Sequence, residues 1–211
     1  MITLFDKNGE TIFILLCLLI GTVKFTKENW DEDAELVRQV KQGNRNAYCD
    51  LFNKYHDAIY RYCYMILSRR NDPSEDAKDA TQEVFVKCLA NIYDLKKDSA
   101  YFSWLRKTAF NTCMNMVKQA SPDPIPDGFP APEAGPDSKV SGAEIQMIVQ
   151  KALNNLDEKY RLAVIHVHLM GHSYIEASET MKCKEDDIRR WVHRGLIKLR
   201  DELKEYRGLI D

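Results

Sequence analysis

Apolar residues recur every three or four positions along most of this chain, and no stretch alternates convincingly as a half-buried strand would. Ala34, Val37 and Val40 follow Asp31, Glu32 and Asp33, acids of the kind favoured at a helix start, and Gly43 offers a stop. A second helix is predicted with Ala47, Leu51, Tyr55, Ile59, Tyr62 and Ile66 on one face, broken at residues 71–74. A third runs from about Ser74 to Tyr93, with Ala77, Ala80, Val84 and Cys88 inward. A fourth follows Asp98 and Ser99 and ends near Gln119, with Leu105, Ala109, Cys113 and Met116 inward.

Residues 121–138, SPDPIPDGFPAPEAGPDS, interrupt this pattern and hold six of the seven prolines. Proline removes a backbone donor and disfavours helix before it, so the stretch reads as a semi-extended linker. Helical spacing resumes near 143–154 and again at 159–169, where Gly171 ends the run. Ser173 and Glu176 then have capping-box spacing ahead of a short helix reaching Met181. Lys182, Cys183 and Lys184 make a tight connection to a last helix at about 185–206. Two helices joined by three or four residues, the second one basic, form a helix-turn-helix pattern. The fold class expected is all-α: two four-helix domains at 30–120 and 141–211, joined by a Pro-rich linker at 121–140. No internal repeat is visible.

The N-terminal run IFILLCLLI, 12–20, falls outside this scheme. A bilayer-spanning helix needs about 18 or more apolar residues, and the leader is neither basic nor followed by a small-residue cleavage site. Three readings of residues 1–29 stay open: a segment upstream of a start near Val23, an apolar piece packing on a domain or partner, and a membrane tether through 12–23.

Composition changes the picture little. The 211 residues are 45% hydrophobic and 29% charged, with a net charge of -2. Overall charge therefore gives no support to nucleic-acid binding, and the case must rest on where charges sit. The six cysteines form no C-x-x-C pair and read as reduced, mostly buried thiols in a cytosolic protein. His166 and His168 project to different sides of a helix, so no metal site is expected. With no Gly-rich phosphate loop, nucleophile elbow or catalytic triad, neither an enzyme nor a cofactor is expected.

The charge pattern is local. On the last helix Ile188, Trp191, Val192, Gly195 and Leu199 form an apolar stripe. Arg189, Arg190, His193, Arg194 and Lys198 lie on the other side, as a helix inserted into a DNA groove requires. Glu185, Asp186 and Asp187 oppose this, and residues 141–211 hold 12 basic and 12 acidic side chains. DNA affinity of that domain alone is expected to be modest and salt-sensitive. On the fourth helix Lys107, Asn111, Asn115 and Lys118 share a face, with Arg106 beside it and Tyr101, Phe102 and Trp104 before it. Rings beside cations can stack on unpaired bases; singly, Phe102 and Trp104 also read as plain core. On the third helix Asp76, Asp79 and Glu83 form an acidic strip with Gln82 alongside, which by pattern alone is an ordinary solvated face.

The local words add to this. DPSEDAKDATQEVFVKCLANI, 72–92, resembles the signature helix of sigma-70 family factors, which grips the clamp of core RNA polymerase. FSWLRKTAFNTCMNMVKQ, 102–119, is similar to the segment that melts and reads the minus-ten promoter element. The 156–203 stretch is similar to the family's second domain, which reads the minus-thirty-five element. Two such domains with no third between them match the extracytoplasmic-function (ECF) group.

The resemblance implies a transcription initiation factor, cytoplasmic, with core RNA polymerase, promoter DNA and an anti-sigma factor as partners and no small-molecule substrate. It implies polymerase contact at Asp76, Asp79, Gln82, Glu83 and Phe85. It implies minus-ten contact at Trp104, Lys107 and Asn111, with a base-capturing loop at about 94–99. Minus-thirty-five contact falls to Arg189, Arg190, His193, Arg194 and, on the same basic face, Lys198. Lys182 and Lys184 depart from the family's Gly and Ser or Thr, which implies a less well capped turn. A stand-alone helix-turn-helix regulator with a helical sensor domain and a membrane-tethered adaptor are the other readings of the chain.

Overall fold

The computed structural model describes residues 27–119 and 142–206, all of whose regular elements are helical. The apolar run at 12–23 and the Pro-rich stretch at 121–140 lie outside the described residues. The chain divides into two compact units.

In the first unit, α1 (Lys27–Lys41), α2 (Arg45–Leu67), α3 (Pro73–Ala90) and α4 (Tyr101–Gln119) pack around α2. Leu51, Tyr55, Ile59, Tyr62 and Ile66 of α2 are buried, as their spacing predicts. Gly43 ends α1 at φ +92°, in the left-handed region that costs glycine nothing. The Asn44 side chain then accepts from the amides of Asn46 and Ala47 at 3.0 and 3.4 Å, opening α2. Asp72 caps α3 by accepting from the Glu75 amide at 3.2 Å, with Pro73 in the first turn where its missing N–H costs nothing.

Two boundaries differ from the pattern. First, α1 begins at Lys27, ahead of the acids expected to start it. Asp33 instead sits 1% exposed, accepting from the Tyr55 hydroxyl and, at 2.8 Å, from the Lys54 ammonium. A buried carboxylate needs such partners, and they come from α2 rather than from the helix's own amides. Second, α3 stops at Ala90. The Asn91 side chain donates to the Lys87 carbonyl at 2.7 Å, and the chain tightens into 3-10 turns at Ile92–Asp94 and Asp98–Ala100. Among the thiols, Cys63, Cys88 and Cys113 are buried as expected, whereas Cys49 is exposed and Cys183 half-buried. The buried Cys88 thiol is pushed up to about 12 by desolvation, which keeps it inert.

The second unit holds α5 (Gly142–Asn154), α6 (Glu158–Val164), α7 (Tyr174–Met181) and α8 (Glu185–Leu203). The apolar helix expected at 159–169 leaves α geometry at Ile165 and becomes a π turn, Ile165–Leu169. The wider turn changes the phase of the side chains. It brings His166 and His172 together, Nδ1 to Nδ1 at 2.9 Å, with rings stacked at 5.0 Å. The capping box at Ser173 and Glu176 forms as its spacing predicts. Ala163, Ala177, Ile188 and Val192 then make a core joining α6, α7 and α8. Gly195 sits where α8 crosses α6: a Cβ there would lie 2.8 Å from Val164 Cγ2 and 3.3 Å from the Tyr160 carbonyl.

Candidate functional site

The acidic strip on α3 survives folding only in part. Asp79, Gln82 and Glu83 are exposed. Asp76 is half-buried and engaged by the Arg70 guanidinium, which also donates to the Met116 carbonyl at 2.9 Å. Asp76 thus helps tie the start of α3 to the end of α4. Glu83 pairs with Lys87 one turn on, a half-exposed contact of little energetic weight. Phe85 lies on the opposite side, 3% exposed, with its ring 4.7 Å from that of Phe52 and its carbonyl accepting from the Tyr48 hydroxyl. It supports α3 from within and does not share the acidic face.

Beyond Gln82 the same side of α3 turns apolar. Val86 is 68% exposed, Leu89 45% and the following Tyr93 65%. These large side chains sit at helical spacing from Gln82, a signal present in the sequence beside the stronger inward stripe of Ala77, Ala80, Val84 and Cys88. An exposed apolar stripe thus continues the acidic one.

On α4, Lys107, Asn111, Asn115 and Lys118 are exposed, and Trp104 is half-buried, edge-on to Tyr101 at 6.2 Å. Arg106 does not lie beside that face. It is buried, with its guanidinium 4.6 Å from the Phe102 ring centre and donating to the Ser103 hydroxyl at 3.2 Å. Tyr101 and Phe102 are core, the latter stacked on Tyr55 at 4.8 Å. Of the three rings, Trp104 alone reaches the surface. The intervening loop is pinned by Lys41 of α1, whose ammonium donates to the Leu95 carbonyl at 2.8 Å and to Asp98 at 2.7 Å. Nothing in the local sequence pattern joins residues so far apart.

On α8 all five expected residues, Arg189, Arg190, His193, Arg194 and Lys198, are exposed on the side away from the apolar stripe. Their charge is largely matched inside the unit. Arg189 pairs with Glu185 and lies over the Tyr174 ring at 4.6 Å. Arg190 pairs with Asp187, whose carboxyl it holds below the ordinary range. A hydrogen bond from Arg194 draws the Tyr160 hydroxyl down, and Lys198 meets Asp157 at 2.9 Å.

The turn before α8 explains one of these acids. Lys182 adopts the left-handed conformation, φ +54°, where glycine would be unstrained, and the Cys183 amide donates to the Ser178 carbonyl at 3.1 Å. Lys184 carries no acceptor of its own, so Asp187 reaches back to its amide at 3.4 Å. Asp187 is therefore a structural cap as well as a counter-charge. Among the described residues no group of three or more His, Cys, Asp or Glu is arranged to hold a metal ion, and no helix is long and apolar enough to cross a membrane.

Comparison with known proteins places two matches along the chain. The family described as Sigma-70 region 2 matches residues 51–122, and Sigma-70, region 4 matches residues 146–199. ECF RNA polymerase sigma factor SigW of Bacillus subtilis is 26% identical over 182 residues, covering 80% of this chain and 95% of its own. CnrH, solved in complex with the cytosolic domain of CnrY, superposes with a TM-score of 0.59 at 18% identity, covering 82% of this chain and 97% of its own. RpoE of Bartonella quintana, solved with the anti-sigma factor NepR, gives 0.57 at 20% identity, covering 74% and 96%. At those identities the two structures speak for the fold.

Proposed function

The chain belongs to the ECF group of the sigma-70 family, and from that premise we propose how its surfaces divide the work of starting transcription. A sigma factor does not make RNA; the chemistry is the polymerase's. What this chain supplies is docking, recognition and strand opening.

Docking falls to α3. Asp79 and Glu83 offer charge, and Gln82 a hydrogen-bonding amide, to a basic surface of core RNA polymerase, and Val86 and Leu89 supply apolar area beside it. Asp76 and Phe85 hold the helix in position rather than meeting the partner face-on. Recognition of upstream duplex falls to α8, where Arg189, Arg190, His193, Arg194 and Lys198 face phosphates and base edges. Those cations exchange internal partners for phosphate on binding, so each contact yields less than a free cation would. Opening of the minus-ten duplex falls to α4 and the 94–99 loop, with Lys107 and Asn111 on the backbone and Trp104 at the upstream edge. Unstacking one base costs a few kcal/mol, which stacking and polymerase contacts must offset.

The observation that carries this reading is the order of the two matches, region 2 then region 4, in one chain that spans 95% of SigW. A stand-alone helix-turn-helix regulator has no use for a region 2 domain and is not favoured. On this reading we assign 30–120 to region 2 and 141–211 to region 4, bounds supported by the matches at 51–122 and 146–199. The solved complexes of CnrH and RpoE support an anti-sigma partner for this chain, and the family supports a cytoplasmic location, on the nucleoid when bound to polymerase. Run-off transcription with purified core polymerase on genomic fragments tests the reading. Discrete RNA starts that require the chain support it; core polymerase giving the same starts without the chain contradicts it.

A further inference from the structure

The ammonium of Lys87 stands where the two working faces of the first unit meet. It lies on α3, one turn beyond Glu83, and pairs with that carboxylate. It also donates to the Thr112 hydroxyl of α4 at 3.2 Å, across 25 positions of sequence. Thr112 is buried, 2% exposed, so this second bond fixes the ammonium against α4. Two of its three N–H donors are thereby engaged. On α4, Thr112 is flanked by exposed Asn111, its neighbour in sequence, and by exposed Asn115, one turn on. Both lie on the face to which minus-ten contact is assigned. Lys87 therefore adds a cation at the edge of that face from a different helix, which no pattern within α4 reveals.

Of the two bonds, the pair with Glu83 is the easier to exchange. Its side chains are 42% and 49% exposed, and an ion pair so open to water contributes little. Glu83 is also one of the carboxylates that a basic partner draws to itself. Once it is drawn away, Lys87 keeps its place through Thr112 but has lost its counter-charge. We propose that Lys87 is a phosphate contact of the opening promoter, matched by Glu83 in the free chain and released to DNA when core polymerase takes Glu83. The inference rests on the sigma-factor reading and deepens it, since docking and strand contact then share one carboxylate. Binding of duplex by the free chain runs through α8 and does not sense the exchange.

The test uses holoenzyme assembled from the full chain and saturating core polymerase, so that altered docking does not enter. The probe is fork-junction DNA, a duplex with a single-stranded overhang, and its retention is followed across a salt series. Each lysine contact to a phosphate adds about one to the slope of log affinity against log salt. Lys87→Met is expected to weaken retention severalfold at low salt and to lower that slope by about one. Lys87→Arg keeps the slope. Lys87→Gln, which retains a hydrogen-bond donor but no charge, behaves as Lys87→Met, whereas a merely structural brace would be rescued by it. Glu83→Gln retains DNA as the wild type does, because polymerase already holds that carboxylate.

An unchanged slope in Lys87→Met overturns the proposal, since the cation then meets no phosphate. Retention that rises in Glu83→Gln also overturns it, since the pair is then still closed in the holoenzyme. Should Lys87→Met fail to assemble with core polymerase, Lys87→Gln carries the same comparison. Wild-type holoenzyme that retains no more fork DNA than core polymerase alone overturns the sigma reading itself.

Discussion

The exposed faces of α3 and α8 carry opposite charge and are built on opposite plans. On α3 the acids Asp79 and Glu83 face outward, Glu83 paired only with Lys87 one turn on, and the helix continues into exposed Val86 and Leu89. Only Asp76 is drawn into the fold, by Arg70. On α8 Arg189, Arg190 and Lys198 each meet an acid of the same unit, and Arg194 meets Tyr160. The first face is ready to lose water to a partner. The second is already partly satisfied, so DNA must compete with internal carboxylates. The difference fits a division in which protein docking supplies affinity and DNA contact supplies choice of site.

The comparison breaks most severely at α3. Reversing Asp79→Lys and Glu83→Lys together places like charge against a basic partner, and loss of core polymerase binding by a hundredfold or more is expected. Pull-down or fluorescence titration with core polymerase measures it, and DNA binding by the isolated variant should be unaltered. A stand-alone regulator would show no effect on either.

Next in size is Gly195→Ala, which disturbs the seating of α8 and none of its charges. A Cβ at 2.8 Å from Val164 must push the helices apart, at a cost of about 1–3 kcal/mol. Thermal unfolding should drop while core polymerase binding through α3 persists.

A smaller effect separates the units by pH. Burial lowers His168 below the usual imidazole range. The unfolded chain therefore takes up a proton near pH 6.5 that the folded unit resists, so this contribution is complete above that pH and lost as pH falls below it. Unfolding followed at pH 7 and pH 5 should show destabilisation in acid that His168→Leu reduces.

The smallest expected change is a gain. Glu185→Gln releases Arg189 and removes an acid near the DNA-facing end, which should raise duplex affinity severalfold at low salt and steepen its salt dependence. Fluorescence anisotropy at two salt concentrations reads both effects.

What could be read in the chain before folding follows a physical division. Local devices were legible: the Ser173–Glu176 capping box, the Gly171 stop and the stripe running from Ile188 to Leu199 all depend on neighbours a few residues away. Contacts between distant helices were not. Asp33 looks like a helix-start acid but serves Tyr55 and Lys54. Arg106 looks like part of a basic face but is buried on Phe102. The His166–His172 pair depends on a π turn, whose phase change no 3.6-residue pattern anticipates. Likewise the acidic strip was visible, but the loss of Asp76 to Arg70 and the inward placement of Phe85 required the packing of α3 against α2 and α4.

Retention of a promoter fragment by the chain alone, by core polymerase alone and by the two mixed, across a salt series, bears most directly on the central claim. Retention by the mixture well beyond either component, with the chain alone releasing DNA at moderate salt, is the predicted result. Equal, specific retention by the chain without polymerase would contradict it.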